Sequence, residues 1–167
     1  LAYRPDGATG FNTALQPQTS LQVELGAKWR DDAFGLGLEV AVFRADTDDE
    51  IGVLTNAGGR STFQNVGSTR RSGAELGLRW QPHAQWRALL AMTYLDATYR
   101  DSFETCSALP CLRPEDRVTL PAGNRIAGTM ERSAFASLAW QPLRGTELAL
   151  ELRYQGEMPV NDRNSDF

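Results

Sequence analysis

Two cysteines, one histidine and scattered acids and arginines are the residues here whose types could do chemistry. Cys106 and Cys111 stand in CSALPC, a C-x4-C spacing. A structural zinc site needs four nitrogen or sulfur ligands, yet no other Cys or His lies near this pair, and His83 sits far off beside Pro82. The spacing is better read as a disulfide closing a small loop, with two free thiols as the alternative. A disulfide implies an oxidising compartment. The acidic run DTDDE at 46–50 gathers oxygen ligands of the kind calcium takes, but it lacks the glycine and distal glutamate of a calcium loop. A solvated rim of charge is its stronger reading. No G-x-S-x-G, H-E-x-x-H or phosphate-binding loop occurs, so no catalytic residue, metal site or cofactor is assigned and an enzyme is not expected.

The chain has 167 residues and a net charge of −4. Its charges are interspersed, without the basic patch of a nucleic-acid surface. No run approaches the roughly 18 apolar residues of a spanning helix; alternating barrel strands escape that test. Lys28 is the only lysine among 17 basic residues, a bias we ascribe to composition. The opening LAYRPDG lacks the basic and apolar regions of a signal peptide, and the closing VNDRNSDF reads as loop. The expectation is an internal or processed piece, cut at both ends.

The elements that must position these residues are strands. Period-two alternation marks six of them, at about 20–30, 33–52, 61–80, 85–100, 124–141 and 146–158. Tight connections (30–33, 81–85, 141–146) alternate with long ones (53–60, 101–123). This predicts an all-β, antiparallel up-and-down meander with short turns at one rim and long loops at the other, as in part of a transmembrane β-barrel. One parity is dry in every strand, for example Leu21, Val23, Leu25, Ala27 and Trp29, or Ala74, Leu76, Leu78 and Trp80. The other parity carries Glu24, Lys28, Glu39, Glu75, Arg79, Arg87, Glu151 and Arg153.

Aromatic placement separates a soluble core from a lipid face. Trp29, Trp80, Trp86, Trp140 and Phe34 all fall at strand ends nearest the short turns, whereas Tyr94 and Tyr154 fall where an opposite girdle belongs. Arg44 and Arg70 lie further along the same parity, placed to snorkel toward headgroups. Strands two and three are expected to continue past the dry band as a projecting wall.

Two stretches then carry a family resemblance. LQPQTSLQVELGAKW (15–29) resembles the P-E-x-S-x-x-x-E-x-G-x-K signature of TonB-dependent outer-membrane receptors, with Pro17, Ser20, Glu24, Gly26 and Lys28 matching and Gln18 in place of Glu. FQNVGSTRRSGAELGL (63–78) is similar to the family's N-V-G-x-x-R-x-x-G-x-E segment through Asn65, Val66, Gly67, Arg70, Gly73 and Glu75. TYLDATY (93–99) and GNRIAG (123–128) resemble strands of ferric-siderophore receptors. The resemblance implies that residues 1–167 are a partial barrel domain, without the plug domain or TonB box and with six strands of a 22-stranded wall.

It further implies a Gram-negative outer-membrane receptor for TonB-dependent uptake of an iron chelate, a ferric siderophore above all. Its partners would be outer-membrane lipid, the TonB system and a plug domain. Ligand candidates in the long loops are Arg60, Phe63, Arg100, Phe103, Arg113 and Arg117, since arginines and aromatics hold polar, anionic chelates. Arg71, Glu75 and Arg79 are the expected lumen- or plug-facing residues, able to form a ladder of opposite charges with neighbouring strands. The other classes left open are a secreted soluble β-sandwich that binds or adheres, and a passive porin.

Overall fold

A computed structural model describes residues 11–57, 60–106 and 114–167. Six strands form one antiparallel sheet in meander order: β1 (Thr19–Asp31), β2 (Leu36–Asp48), β5 (Thr69–His83), β6 (Trp86–Tyr99), β9 (Arg132–Leu143) and β10 (Thr146–Gln155). The expected meander is therefore present. Two of its three tight turns are shorter than expected, because β5 runs on to His83 and β9 to Leu143 before the chain reverses. At the first turn Gly35 has φ +60°, and a Cβ there would lie 2.0 Å from the Gln81 carbonyl oxygen. Only glycine fits so close a backbone approach.

The long connections differ from expectation. Residues 53–60, read as loop, contribute to a hairpin of β3 (Ile51–Ala57) and β4 (Arg60–Asn65). The span 101–123 contains a second hairpin, β7 (Phe103–Cys106) with β8 (Arg117–Leu120), and a short 3-10 turn. Two local breaks separate the first hairpin from the main sheet. Asp49 takes φ 53° after β2, and Gly67 takes φ 81° before β5; left-handed residues interrupt the pleat. The projecting wall is thus a separate two-stranded sheet, pinned to the main one by Glu50 N to Gly67 O (2.9 Å) and Val66 N to Glu50 O (2.8 Å).

The fifth expected strand also starts late. Residues 124–131 run beside upper β6 through Tyr99 N to Asn124 O, Ile126 N to Ala97 O and Leu95 N to Glu131 O, with one isolated bridge at Thr98–Arg125. The continuous β6–β9 ladder begins only at the Tyr94–Arg132 pair. The last strand ends at Gln155, three residues short of expectation, and Gly156 N then bonds to Arg132 O at 2.8 Å.

Side-chain burial is confined to the long-loop rim. The buried residues include Val66, Ala97, Tyr99 and Leu120, with Thr47 and Thr69 among the polar ones. The regular part of the sheet has no described layer over its dry face: Leu25 is 74% exposed and Leu152 62%. A β-sandwich would bury such residues against a second sheet. Among the described residues none covers this face.

Candidate functional site

Register converts the alternation into two surfaces. Trp29, Leu38, Leu78, Leu90, Ala136 and Leu152 are successive cross-strand partners and form one row of the dry face. Measured from that row, the dry run on β1 extends eight residues toward the long loops, to Leu21, and none toward the short turns. On β6 it reaches Tyr94 above and Trp86 below, four residues each way from Leu90. On β10 it ends at Tyr154 above and Leu148 below. The band therefore slides toward the short turns by about one residue per strand. With a rise of ~3.3 Å per residue and ~4.8 Å between strands, a slide of that size makes the band level when the strands tilt by ~35°. Transmembrane barrel strands tilt by about 35–45°. Dry runs of about seven to nine residues at that tilt span roughly 19–24 Å, close to the ~25 Å apolar band of such barrels.

Aromatic rings mark the lower edge. Trp86 and Trp140 stack with centroids 5.5 Å apart, and Trp29 and Trp80 border the same edge on β1 and β5, more than a third exposed. The large rings stand at the border of the apolar band, a position that suits their amphipathic character.

The opposite face is concave and lines a cavity of about 940 Å³ near the short turns. Its walls include Lys28, Glu39, Arg79, Arg87 and Glu151, over a floor with Gly37, Gly77 and Ala91. Lys28 and Glu39 are direct partners on β1 and β2, 3.5 Å apart and exposed. The expected charge ladder takes a different form. Glu75 and Arg79 lie on this face opposite Ala41, Thr93, Gly37 and Leu89, so no counter-charge stands directly across from either. Arg71 turns instead to Glu50, through paired contacts of 2.9 Å from both terminal nitrogens.

Glu50 is the hub of the far rim. Besides Arg71 it accepts from Thr69 Oγ at 2.5 Å. The Arg71 hydrogen bonds hold its carboxyl below the usual glutamate range, outweighing the opposing effect of burial. Nearby, the Tyr99 hydroxyl donates to Asp162 Oδ1 at 2.9 Å, and Ala127 N donates to the same oxygen. Asp101 is likewise lowered, chiefly because Ser68 N donates to it at 2.8 Å. The NVG stretch shapes this rim. Asn65 Nδ2 donates to the carbonyls of Asp49 and Gln16, Val66 is buried, and a Cβ on Gly67 would come within 2.8 Å of Asp101. Gly73 leaves room for the Phe43 ring, 2.7 Å from where a Cβ would stand.

The acidic run 46–50 is thus no free rim of solvated charge at two of its members. Asp46 binds Arg44 and Arg70, while Glu50 binds Arg71. Among the described residues no cluster of three or more metal-type ligands occurs. The Asp46–Arg70 and Glu50–Arg71 pairs were not legible from the sequence, since their members lie 24 and 21 residues apart.

The ligand candidates are brought partly together. Gln64 Nε2 donates to Glu104 O at 2.7 Å, tying the β3–β4 hairpin to the β7–β8 hairpin. Arg100 is exposed, and Arg117 is exposed with Glu104 at 3.4 Å. Phe63 is half-buried. Phe103 packs its ring on Tyr99, 4.7 Å between centroids, and supports the rim from within. Arg60 opens β4, its side chain lying outside what is described; Arg113 and Cys111 also lie outside the described residues. Cys106 is disulfide-bonded.

The family described as "TonB dependent receptor-like, beta-barrel" matches residues 2–167. A probable TonB-dependent siderophore receptor, PiuA of Acinetobacter baumannii, is 27% identical over 100 residues, 60% of this chain. The match covers 13% of that receptor's length. An oblique dry band, aromatic edge, charged concave face and a match over nearly all of the chain lead to one assignment: the protein belongs to the TonB-dependent receptor β-barrel family.

Proposed function

We propose that the chain is a wall segment of an outer-membrane receptor that takes up an iron chelate, a ferric siderophore, using energy relayed through TonB. The observation that carries the membrane part is the uncovered dry band, continuous across six strands and level at a barrel-like tilt. The siderophore part is supported by the similarity to a receptor named for siderophores and by the exposed loop cations Arg100 and Arg117. A guanidinium presents several fixed donors to an anionic chelate. Glu75 and Arg79, with no counter-charge directly opposite on either flanking strand, are the groups we assign to holding a plug domain inside the wall. The β3–β4 and β7–β8 hairpins, tied by Gln64, form the mouth on the long-loop side.

The test is uptake of radiolabelled ferric siderophores by cells carrying or lacking the full-length gene, under iron limitation. Accumulation that depends on the gene and stops when the proton gradient is dissipated is the expected result. Gradient-independent passage would indicate a porin. A full-length protein that is folded and monomeric in buffer without detergent would overturn the membrane assignment.

A further inference from the structure

Above the dry band on β2, β5 and β6, the outward parity changes from apolar to polar and charged residues. The rows beyond Val42, Ala74 and Tyr94 carry Arg44, Ser72 and Asp96, then Asp46, Arg70 and Thr98, with Arg125 bridged to Thr98. Within this belt one carboxylate serves two arginines. Arg44 Nε donates to Asp46 Oδ2 at 2.8 Å, and Arg70 Nε donates to Asp46 Oδ1 at 2.6 Å. A second triplet follows along the belt, with Glu131 3.6 Å from Arg125 and 3.2 Å from Arg132.

The atoms used are informative. Both contacts to Asp46 engage Nε and leave the terminal nitrogens of Arg44 and Arg70 without partners among the described residues. A carboxylate that only neutralised charge would be expected to take the paired terminal edge, which gives two parallel hydrogen bonds. Here Asp46 holds two guanidiniums side by side through Nε and leaves their terminal edges free. One negative charge against two positive ones leaves the triplet net positive. Fixed, planar donors of this kind match the oxygens of a phosphate; they stand just beyond Val42 and Ala74 on β2 and β5, with Val23 and Leu21 of β1 beside them in the same rows.

Building on the membrane assignment above, we infer that the Arg44–Asp46–Arg70 triplet is a docking site for the phosphate of a lipid headgroup in the leaflet on the long-loop side. The acyl chains would lie on the apolar surface beside and below it, along Val23, which pairs with Arg44, and Val42 and Val40 beneath, all exposed. That continuity of charge with uncovered apolar surface favours a lipid over a free anion.

The full-length protein, purified in detergent and stripped of lipid, provides the test by native mass spectrometry. Phosphatidic acid should be retained, and diacylglycerol of the same chain length should not. Arg44→Gln with Arg70→Gln should weaken retention about tenfold, while Arg30→Gln at the opposite rim should leave it intact. Undiminished retention by a folded double variant, equal retention of diacylglycerol, or full competition by inorganic phosphate would each overturn the inference. Should the double variant misfold, Arg44→Gln alone decides, since that side chain is 54% exposed and its loss should still weaken retention severalfold. Detergent-free folding of the parent protein would instead remove the membrane assignment itself, so the two failures are distinguishable.

Discussion

From Trp29 to Val42, and across the matching parts of β5, β6, β9 and β10, the backbone is regular and the apolar side chains are uncovered. From Asp46 and Arg70 upward the order reverses. The backbone breaks at Asp49 and Gly67 and the strands shorten, yet here Val66, Tyr99 and Leu120 are buried and polar side chains find partners. The first region is the main six-stranded sheet, and the second joins its upper edge to two small hairpin sheets. In the first, only the ladder is satisfied within the chain, and the side chains are left to an apolar surrounding. In the second, hydrogen bonds and ion pairs between distant segments close the surface against water. A barrel wall needs both, because hydrocarbon accepts no unpaired backbone group while it receives leucines freely.

Breaking the band should have the largest effect. Leu76→Arg or Leu90→Arg, mid-band, should cost about 2–4 kcal/mol of folding stability in lipid vesicles, read by denaturant titration of the full-length protein. An arginine at Val53, exposed in the hairpin, should cost far less. Packing at the concave face comes next. Gly73→Leu would drive a side chain into Phe43 and the Tyr94 carbonyl, and should cost about 1–3 kcal/mol in the same titration.

The rim predicts a pH effect. Glu50 is held below its ordinary pKa of 4.5 by Arg71. Its contribution is therefore fully present above the unfolded value and is lost as pH falls through the lowered folded value. Unfolding measured between pH 6 and pH 3 (a range set by about the carboxylate values) should show this loss in the parent and a flatter profile in Glu50→Gln. At neutral pH that variant should lose about 1–3 kcal/mol. Smallest of all, Lys28→Gln removes an ion pair whose members are 79% and 54% exposed. It should change stability by under about 1 kcal/mol, and a larger loss would mean that the concave face is covered in the whole receptor.

The strands of the band were legible because alternation is a local signal: each of the six dry parities can be read without knowing its neighbours. The rim was not, for the same reason. Arg71 meets Glu50 across 21 positions and Tyr99 meets Asp162 across 63, and no local pattern announces such pairs. The projecting wall was legible, but not its separation from the main sheet, which single left-handed residues make, and the β7–β8 hairpin was missed because its strands are only four residues long.

What the sequence by itself determined is the meander, its dry and charged parities and the family signature, all encoded in period two and in spacing. Only the tertiary structure decided the register that makes the dry band oblique, and which arginine of the adjacent pair faces which surface partner. Arg70 reaches Asp46 on the outward face and Arg71 reaches Glu50 at the rim. Adjacent residues on a strand point to opposite sides, but what awaits them there is set by segments far away in the chain.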